Sequence, residues 1–456
     1  MKGSTEDSAA SGTGTGGPAY AFLARRLGPV ATIALAQLLG TSLWFSANSA
    51  ADDLMRAWAA TPGDIGILTS AVQIGFILGT LAISVSGLVD RFRASTVFVC
   101  SAVAGACFNA AFAWLAQGLA SGALFRFLVG ICLAGIYPVG MKLIVHWAPR
   151  RTGAALAQLV AMLTLGTALP HALRAAGAGL PWQEVITASS MLALVAALMI
   201  RILGDGPRGP GPMGPAAGHT AAAIAPAPSA VVRAAAADPD PASDPLTPVA
   251  PAGRDGRRPT LADAFRVRRF RAAALGYFGH MWELYAFWTL VPLLIARSSA
   301  GSLFPGLGIS AASFCVIGIG ALGCLLGGKL SHSMGSAKVA LGALGLSGLC
   351  AVVFAAGWQT LDPRALAVLL PIWGAAVVAD SPQFSALSAR ACPPRLIGSA
   401  LAIQSSIGFA ITVVSIAGAT ALFQRIGLDA TWLLVPGPVF GLLGYAVASW
   451  ERRPGP

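Results

Sequence analysis

Long apolar runs alternate along the chain with short polar or basic loops, and their spacing predicts transmembrane helices. A bilayer core takes about 20 helical residues at about 1.5 Å each. Runs of that length fall at 28–50, 64–88, 95–116, 122–143, 152–173 and 184–203. A second set falls at 272–295, 309–331, 337–358, 364–387, 397–420 and 430–449. Between the sets, 204–259 is rich in Pro, Ala and Gly and cannot bury enough apolar surface to offset the entropy of ordering, which predicts disorder. Residues 260–271, TLADAFRVRRFR, predict an interfacial helix capped by Thr260 and Asp263, with Arg266, Arg268, Arg269 and Arg271 reaching to the headgroups. The expected organisation is a disordered tail at 1–27, a bundle at 28–203, a linker at 204–271, a bundle at 272–450 and a tail at 451–456.

The two sets repeat. PRRTGAALA at 149–157 aligns with PPRLIGSALA at 393–402, Pro138 with Pro382, and the loop GLVDRFR at 87–93 with KLSHSMG at 329–335. All offsets lie between 242 and 246 positions. An even number of spans in each unit gives both copies the same orientation, so the repeat is parallel, about an axis along the membrane normal. The fold class expected is an all-α membrane protein of about twelve helices in two six-helix bundles.

Composition agrees with a membrane assignment. Hydrophobic residues make up 56% of 456 positions and charged ones 11%, against roughly 25% charged in soluble domains. The net charge of +12 is spread in short clusters without a basic, aromatic-interleaved patch, which excludes nucleic acid as a partner. It sorts by side instead. Arg25, Arg26, Arg91, Arg93, Arg150, Arg151, Arg201, Lys338, Arg390 and Arg395 all fall on one face, which predicts cytoplasmic termini in a plasma membrane. No cleavable leader precedes residue 28, so the first span is expected to be an uncleaved anchor. Seven cysteines without a CxxC pair read as small core residues. His280-Met281 and His332-Ser-Met334 offer soft ligands, but the repeat places His332 in a loop, so no metal site is expected. No HExxH, phosphate-binding loop or GxSxG occurs in a fitting context, and neither an enzyme nor a cofactor is expected.

The candidate chemistry is the set of polar groups inside the apolar runs. An ionised group at mid-bilayer costs about 2.5–3.5 kcal/mol on insertion scales, so such residues face partners or water-filled paths. Glu283 and Asp380 are the two acids at that depth, and they are the candidate proton carriers. The alternative is a pair of static bridges, Glu283 to Arg126 and Asp380 to Lys142. His280 lies one turn from Glu283 and could share its proton or bind an anion. Asp380 precedes Ser381-Pro382, and Tyr137-Pro138 is the matching interruption in the first half; paired breaks of this kind point to a central site. Arg126, His280, Tyr285, Trp282, Gln37, Asn48, Tyr137 and Gln404 are the candidate solute-binding residues.

A six-plus-six parallel repeat with LVDRFR after the second span resembles the major facilitator superfamily. That family's loop motif runs Gly-x-Leu-x-Asp-Arg-x-Gly; Leu88, Asp90 and Arg91 match, while Ser86 and Arg93 stand at the glycine positions. The resemblance implies a conformational latch at Asp90, Arg91 and Arg93. Arg126 and Gly130 match part of a fourth-helix motif that the family links to proton coupling. The drug/proton antiporter signature is missing from TLGTALPHAL at 164–173, as is the glycine-spaced nitrate signature, although the overall pattern resembles bacterial anion carriers of the cyanate and nitrate type. The expectation is a monomeric secondary transporter taking up a small organic anion with protons. The alternatives are proton-driven efflux of amphiphilic or cationic compounds and a non-transporting sensor on the same scaffold.

Overall fold

The computed structural model describes residues 18–86, 88–148, 152–177, 179–206, 261–303, 308–392 and 397–450. Of the disorder expected at 1–27 and 204–259, residues 1–17 and 207–259 lie outside them, as do the cap residue Thr260, the tail at 451–456, Arg150, Arg151 and Arg395. Pro18–Leu27, expected to be part of the disordered tail, is helical instead. Among the described residues every regular element is helical. In hydrocarbon a chain satisfies its backbone groups only by helices or closed barrels. The first half comprises α1 (Pro29–Thr41), α2 (Pro62–Ser86), α3 (Ala94–Leu115), α4 (Leu119–Ala134), α5 (Tyr137–Trp147), α6 (Thr152–Ala176) and α7 (Trp182–Leu203). The second comprises α8 (Arg268–Arg297), α9 (Gly308–Gly318), α10 (Gly320–Met334), α11 (Ser336–Gly357), α12 (Pro363–Ala379), α13 (Ser381–Ala391), α14 (Ile397–Ile426) and α15 (Pro436–Ser449).

Nine helical stretches among the described residues are long and apolar enough to cross a bilayer, or ten with the segments Pro18–Leu27 and α1, which meet at a bend of 102°. Helix α8 is not among them, although its 30 residues rise about 45 Å. His280, Glu283 and its flanking arginines lower its hydropathy. The stretch Ala400–Ser449, by contrast, counts once although it is 50 residues long and is interrupted by 3-10 turns at Gly427–Leu434.

Two sequence expectations need correction. The interfacial helix at 260–271 is shorter, Leu261–Arg266, and Arg268, Arg269 and Arg271 form the first turn of α8. The first span is not continuous either. It breaks after Thr41 and resumes at Ser46–Ser49. The breaks at Tyr137-Pro138 and at Asp380-Ser381-Pro382 fall where proline spacing places them, because proline lacks the N–H that would continue the helix.

The repeat has a packing counterpart. A Cβ at Gly130 would collide with the carbonyl oxygen of Val72, and one at Gly374 with that of Val316; both pairs are 244 positions apart. Likewise Gly79 meets Ile131 and Gly323 meets Ala375 at the same offset. Each half thus brings two helices into backbone contact through glycine, a close approach that small residues permit in lipid. Between the halves, α2 packs on α14 and α6 on α9 and α10.

Candidate functional site

A cavity of about 210 Å³ lies between the halves. Thr80, Tyr137 and Thr164 contribute from the first half, and Tyr277, Ser381 and Gln404 from the second. The lining positions occupy the last third of α2, the α4–α5 break, the middle of α8 and the first half of α14. The cavity exceeds the engineered pocket of about 150 Å³ that binds benzene, so a substituted single ring fits. Tyr137, Tyr285 and Gln404, expected from sequence, line it; Gln404 Oε1 is buried without a hydrogen-bond partner. Among the described residues its lining includes no lysine, arginine, aspartate or glutamate.

The ionisable groups stand just behind its wall. His280 Nδ1 lies 2.8 Å from Asp380 Oδ1, with both side chains buried. The contact is off the line of a good hydrogen bond, no second side chain bonds either ring nitrogen or either carboxylate oxygen, and the carboxylate otherwise faces the backbone N–H groups of Asp380 and Ser381. Met281 and Ser381, the next residues in sequence, line the cavity, and the Tyr277 ring lies 6.0 Å from the imidazole. Asp380 sits at the junction of α12 and α13, directly before the lining residue Ser381. Glu283 is placed differently. Its Oε1 accepts from Trp373 Nε1 at 2.7 Å and its Oε2 from Ser347 Oγ at 2.8 Å, so both oxygens are engaged within the second half. The static partners expected from sequence are therefore replaced: Asp380 pairs with His280, and Glu283 with Trp373 and Ser347.

Arg126 lies away from the cavity. Its guanidinium donates to Ser46 Oγ and Asn109 Oδ1, both at 3.0 Å, to the Leu43 carbonyl at 3.0 Å and to the Trp44 carbonyl. The Phe112 ring lies 5.8 Å beneath it. Its work is to satisfy the carbonyls freed where the first span breaks. Gln37 is buried against Gly140 with both amide atoms unpartnered. Trp282 donates to the Leu433 carbonyl at 2.7 Å, outside the cavity.

An aromatic layer closes the far end of the cavity. Trp44 lies 4.9 Å from Phe76 and 5.8 Å from Tyr285, while Phe76 lies 4.6 Å and Tyr285 5.6 Å from Phe409, ring to ring. Phe45 meets Trp288 edge-on at 6.0 Å. The layer joins rings of both halves; Trp44 and Trp288 are 244 positions apart, a signal the repeat carries. Beyond it a smaller pocket of about 30 Å³ includes Asn48, whose amide donates to Thr69 Oγ1 at 2.9 Å.

In the loop after α2, the Asp90 side chain lies outside the described residues, and Arg91 is exposed. Arg93 Nε donates to Asp205 Oδ2 at 2.8 Å, and Asp205 Oδ1 accepts from the Ser95 N–H at 2.6 Å. Asp205 thus caps α3 from beyond the end of α7. Burial pushes its carboxyl up, but the Arg93 and Ser95 hydrogen bonds and the Arg93 charge outweigh that and hold it below the usual carboxylate range.

Comparison with known proteins fits this geometry. A niacin transporter, NiaP, of Acinetobacter baylyi (strain ATCC 33305 / BD413 / ADP1) is 38% identical over 96 residues, 21% of this chain; the match spans about a fifth of that protein, 21% of its length. The crystal structure of the human organic anion transporter MFSD10 (TETRAN) superposes with a TM-score of 0.59 at 18% identity, covering 92% of this chain and 99% of that one. The fold and the family are those of transporters rather than enzymes. Residues 30–421 match the family model of the Major Facilitator Superfamily, and the chain belongs to that superfamily.

Proposed function

We propose that the protein is a proton-coupled transporter that takes up a small organic anion across the plasma membrane by alternating access. In this reading twelve crossings form two bundles, both termini are cytoplasmic, and the cavity faces the cytoplasm. The observation that carries the reading is the His280–Asp380 pair: two ionisable groups, buried, 2.8 Å apart and without a second side-chain partner, one layer behind the cavity wall. Buried charges persist where they are paired or where a proton exchange uses them.

With one proton between them the pair is neutral. A second proton makes it net positive and favours a carboxylate in the cavity, across from the hydroxyls of Tyr277 and Ser381. Loss of that proton on the other side restores the neutral pair and weakens the hold on the anion. Proton and monocarboxylate then move together without net charge. Glu283, already engaged by Trp373 and Ser347, anchors α8 to α11 and α12 in this scheme.

The test uses reconstituted protein and radiolabelled nicotinate, chosen from the relative's name. An inside-alkaline pH gradient drives accumulation in the wild type. Asp380→Asn abolishes the accumulation and retains exchange of nicotinate across the membrane. Wild-type accumulation by Asp380→Asn overturns the coupling assignment. A second reading, efflux of amphiphilic cations, is favoured by the aromatic lining without a lysine or arginine. Transport of tetraphenylphosphonium and of no carboxylate would select it.

A further inference from the structure

The pocket beyond the aromatic layer has chemistry that the central cavity does not use. His171, on α6, is buried, and its Nε2 has no hydrogen-bond partner. It lines the pocket together with Asn48 and Asp52 of the first half and Thr289 and Thr420 of the second. Of the lining hydroxyls, Ser49, Thr289 and Thr420 are already committed, and Ser310 supplies a fourth. Ser49 donates to the Ser46 carbonyl, Thr289 to that of Tyr285 and Thr420 to that of Ile416, each within its own helix. The Asn48 amide donates to Thr69. His171 is therefore left with an imidazole nitrogen to satisfy and Asp52 as the one other titratable group in the lining.

The size of the pocket decides what can satisfy it. About 30 Å³ is too small for an organic solute but holds two waters, at about 10–15 Å³ each. Such a water needs two to four polar partners, and His171, Asp52 and Asn48 provide them. The pocket also lies on the seam between the halves. Thr289 faces it while Trp288, the preceding residue, lines the central cavity, so one side-chain layer separates the two spaces. One turn beyond His171 on α6, Arg174 pairs with Asp53 at 2.7 Å, and Asp53 also holds Arg56 at 2.6 Å. Two arginines thus share one aspartate, a cluster of net positive charge that lies outside the lining, and among the described residues Asp52 and His171 are the acid–base groups that face the pocket.

We propose that this pocket is a hydrated proton-loading site, in which water carries a proton from the face opposite the cavity, past Asp52, to His171. The proposal rests on the proton-coupled reading above and gives it a separate acceptor on the outer side. A proton from the opposite face is taken up by the Asp52 carboxylate and passed through a pocket water, which gives one proton to His171 as it receives another from Asp52. When the aromatic layer parts and joins the pocket to the cavity, His171 returns to its neutral form by releasing the proton through water to the His280–Asp380 pair. The solute is recognised elsewhere.

The experiment measures nicotinate uptake by oriented proteoliposomes while the pH on the pocket side is varied and the cavity side is held fixed. In His171→Gln, uptake at pocket-side pH 7.5 falls roughly tenfold or more, because proton capture becomes limiting, while uptake at pH 5.5 stays within about twofold. The half-saturating nicotinate concentration stays at the wild-type value. Asp52→Asn shifts the same profile in the same direction and by less. Melting temperatures near the wild-type value show that both variants are folded. A wild-type pH profile in His171→Gln, alongside an Asp380→Asn that has lost accumulation, overturns this site and leaves proton coupling standing. Gradient-driven accumulation that survives Asp380→Asn removes the coupling reading itself. A changed half-saturation with an unchanged pH profile makes His171 a solute ligand and likewise refutes the proposal.

Discussion

Replacing Arg126 by alanine separates a structural arginine from a solute-binding one. The substitution removes donors from the Leu43 and Trp44 carbonyls at the break in the first span, and from Asn109 Oδ1. Asn109 keeps the 2.6 Å bond from Ser46 Oγ, so the two carbonyls carry the loss. A buried acceptor left unsatisfied costs about 1–3 kcal/mol, which puts the two together at roughly 2–6 kcal/mol. Part is returned because a buried cation no longer has to be desolvated, and we take about 3 kcal/mol as the expected net destabilisation. Lysine, with a point charge in place of the planar fork, recovers less than half of this. The assay pairs thermal unfolding, followed by tryptophan fluorescence in detergent, with nicotinate half-saturation measured well below the transition. The expected outcome is a melting temperature lowered by several degrees with half-saturation within about twofold of wild type. An unchanged melting temperature with nicotinate binding lost would refute the argument and return Arg126 to the solute.

Two further outcomes follow from contacts outside the cavity. Gly130→Ala and Gly374→Ala place a methyl group against the carbonyl oxygens of Val72 and Val316, so each is expected to separate its pair of crossing helices and to prevent a monodisperse product in size-exclusion chromatography. Gly342→Ala, where nothing lies within 4 Å, is the tolerated control. Asp205 has a lowered pKa in the folded protein, so its stabilisation is complete above the unfolded value of about 3.9 and is lost as pH falls through the lower folded value. Asp205→Asn is expected to destabilise by about 1 kcal/mol at pH 7, as a lost helix cap does, with the gap to wild type closing below about pH 4 in a pH series of melting curves.

The helices were legible because a bilayer forces them to be: apolar length alone located the ends of α2, α3 and α7 to within two or three residues. Prolines located the breaks at Tyr137 and Ser381, but the break after Thr41 has no proline to mark it. It is held open by Arg126, whose sequence position 80 residues away gives no hint of that contact. The same distance problem hid the partner of Asp380. Only folding brings α8 against the α12–α13 junction, and with it His280. The repeat explains why symmetry could not supply these residues. At the 244-position offset His280 faces Ala36, Asp380 faces Ile136 and Arg126 faces Leu370, so each half has kept the crossing glycines and specialised its polar groups. His171 escaped notice because a single histidine in an apolar run is indistinguishable from core until its unpartnered nitrogen and the pocket beside it are seen.

The aromatic layer of Trp44, Phe76, Tyr285 and Phe409 also has an electrical consequence. With the pocket hydrated as proposed and the cavity open to water, a low-dielectric barrier one side chain thick remains between them. A membrane potential falls mainly across such a barrier, and 100 mV is worth about 2.3 kcal/mol for each elementary charge that crosses it. Any unbalanced charge that passes those rings experiences most of the cell's voltage within a few ångströms, whereas movement along the rest of the path is nearly field-free.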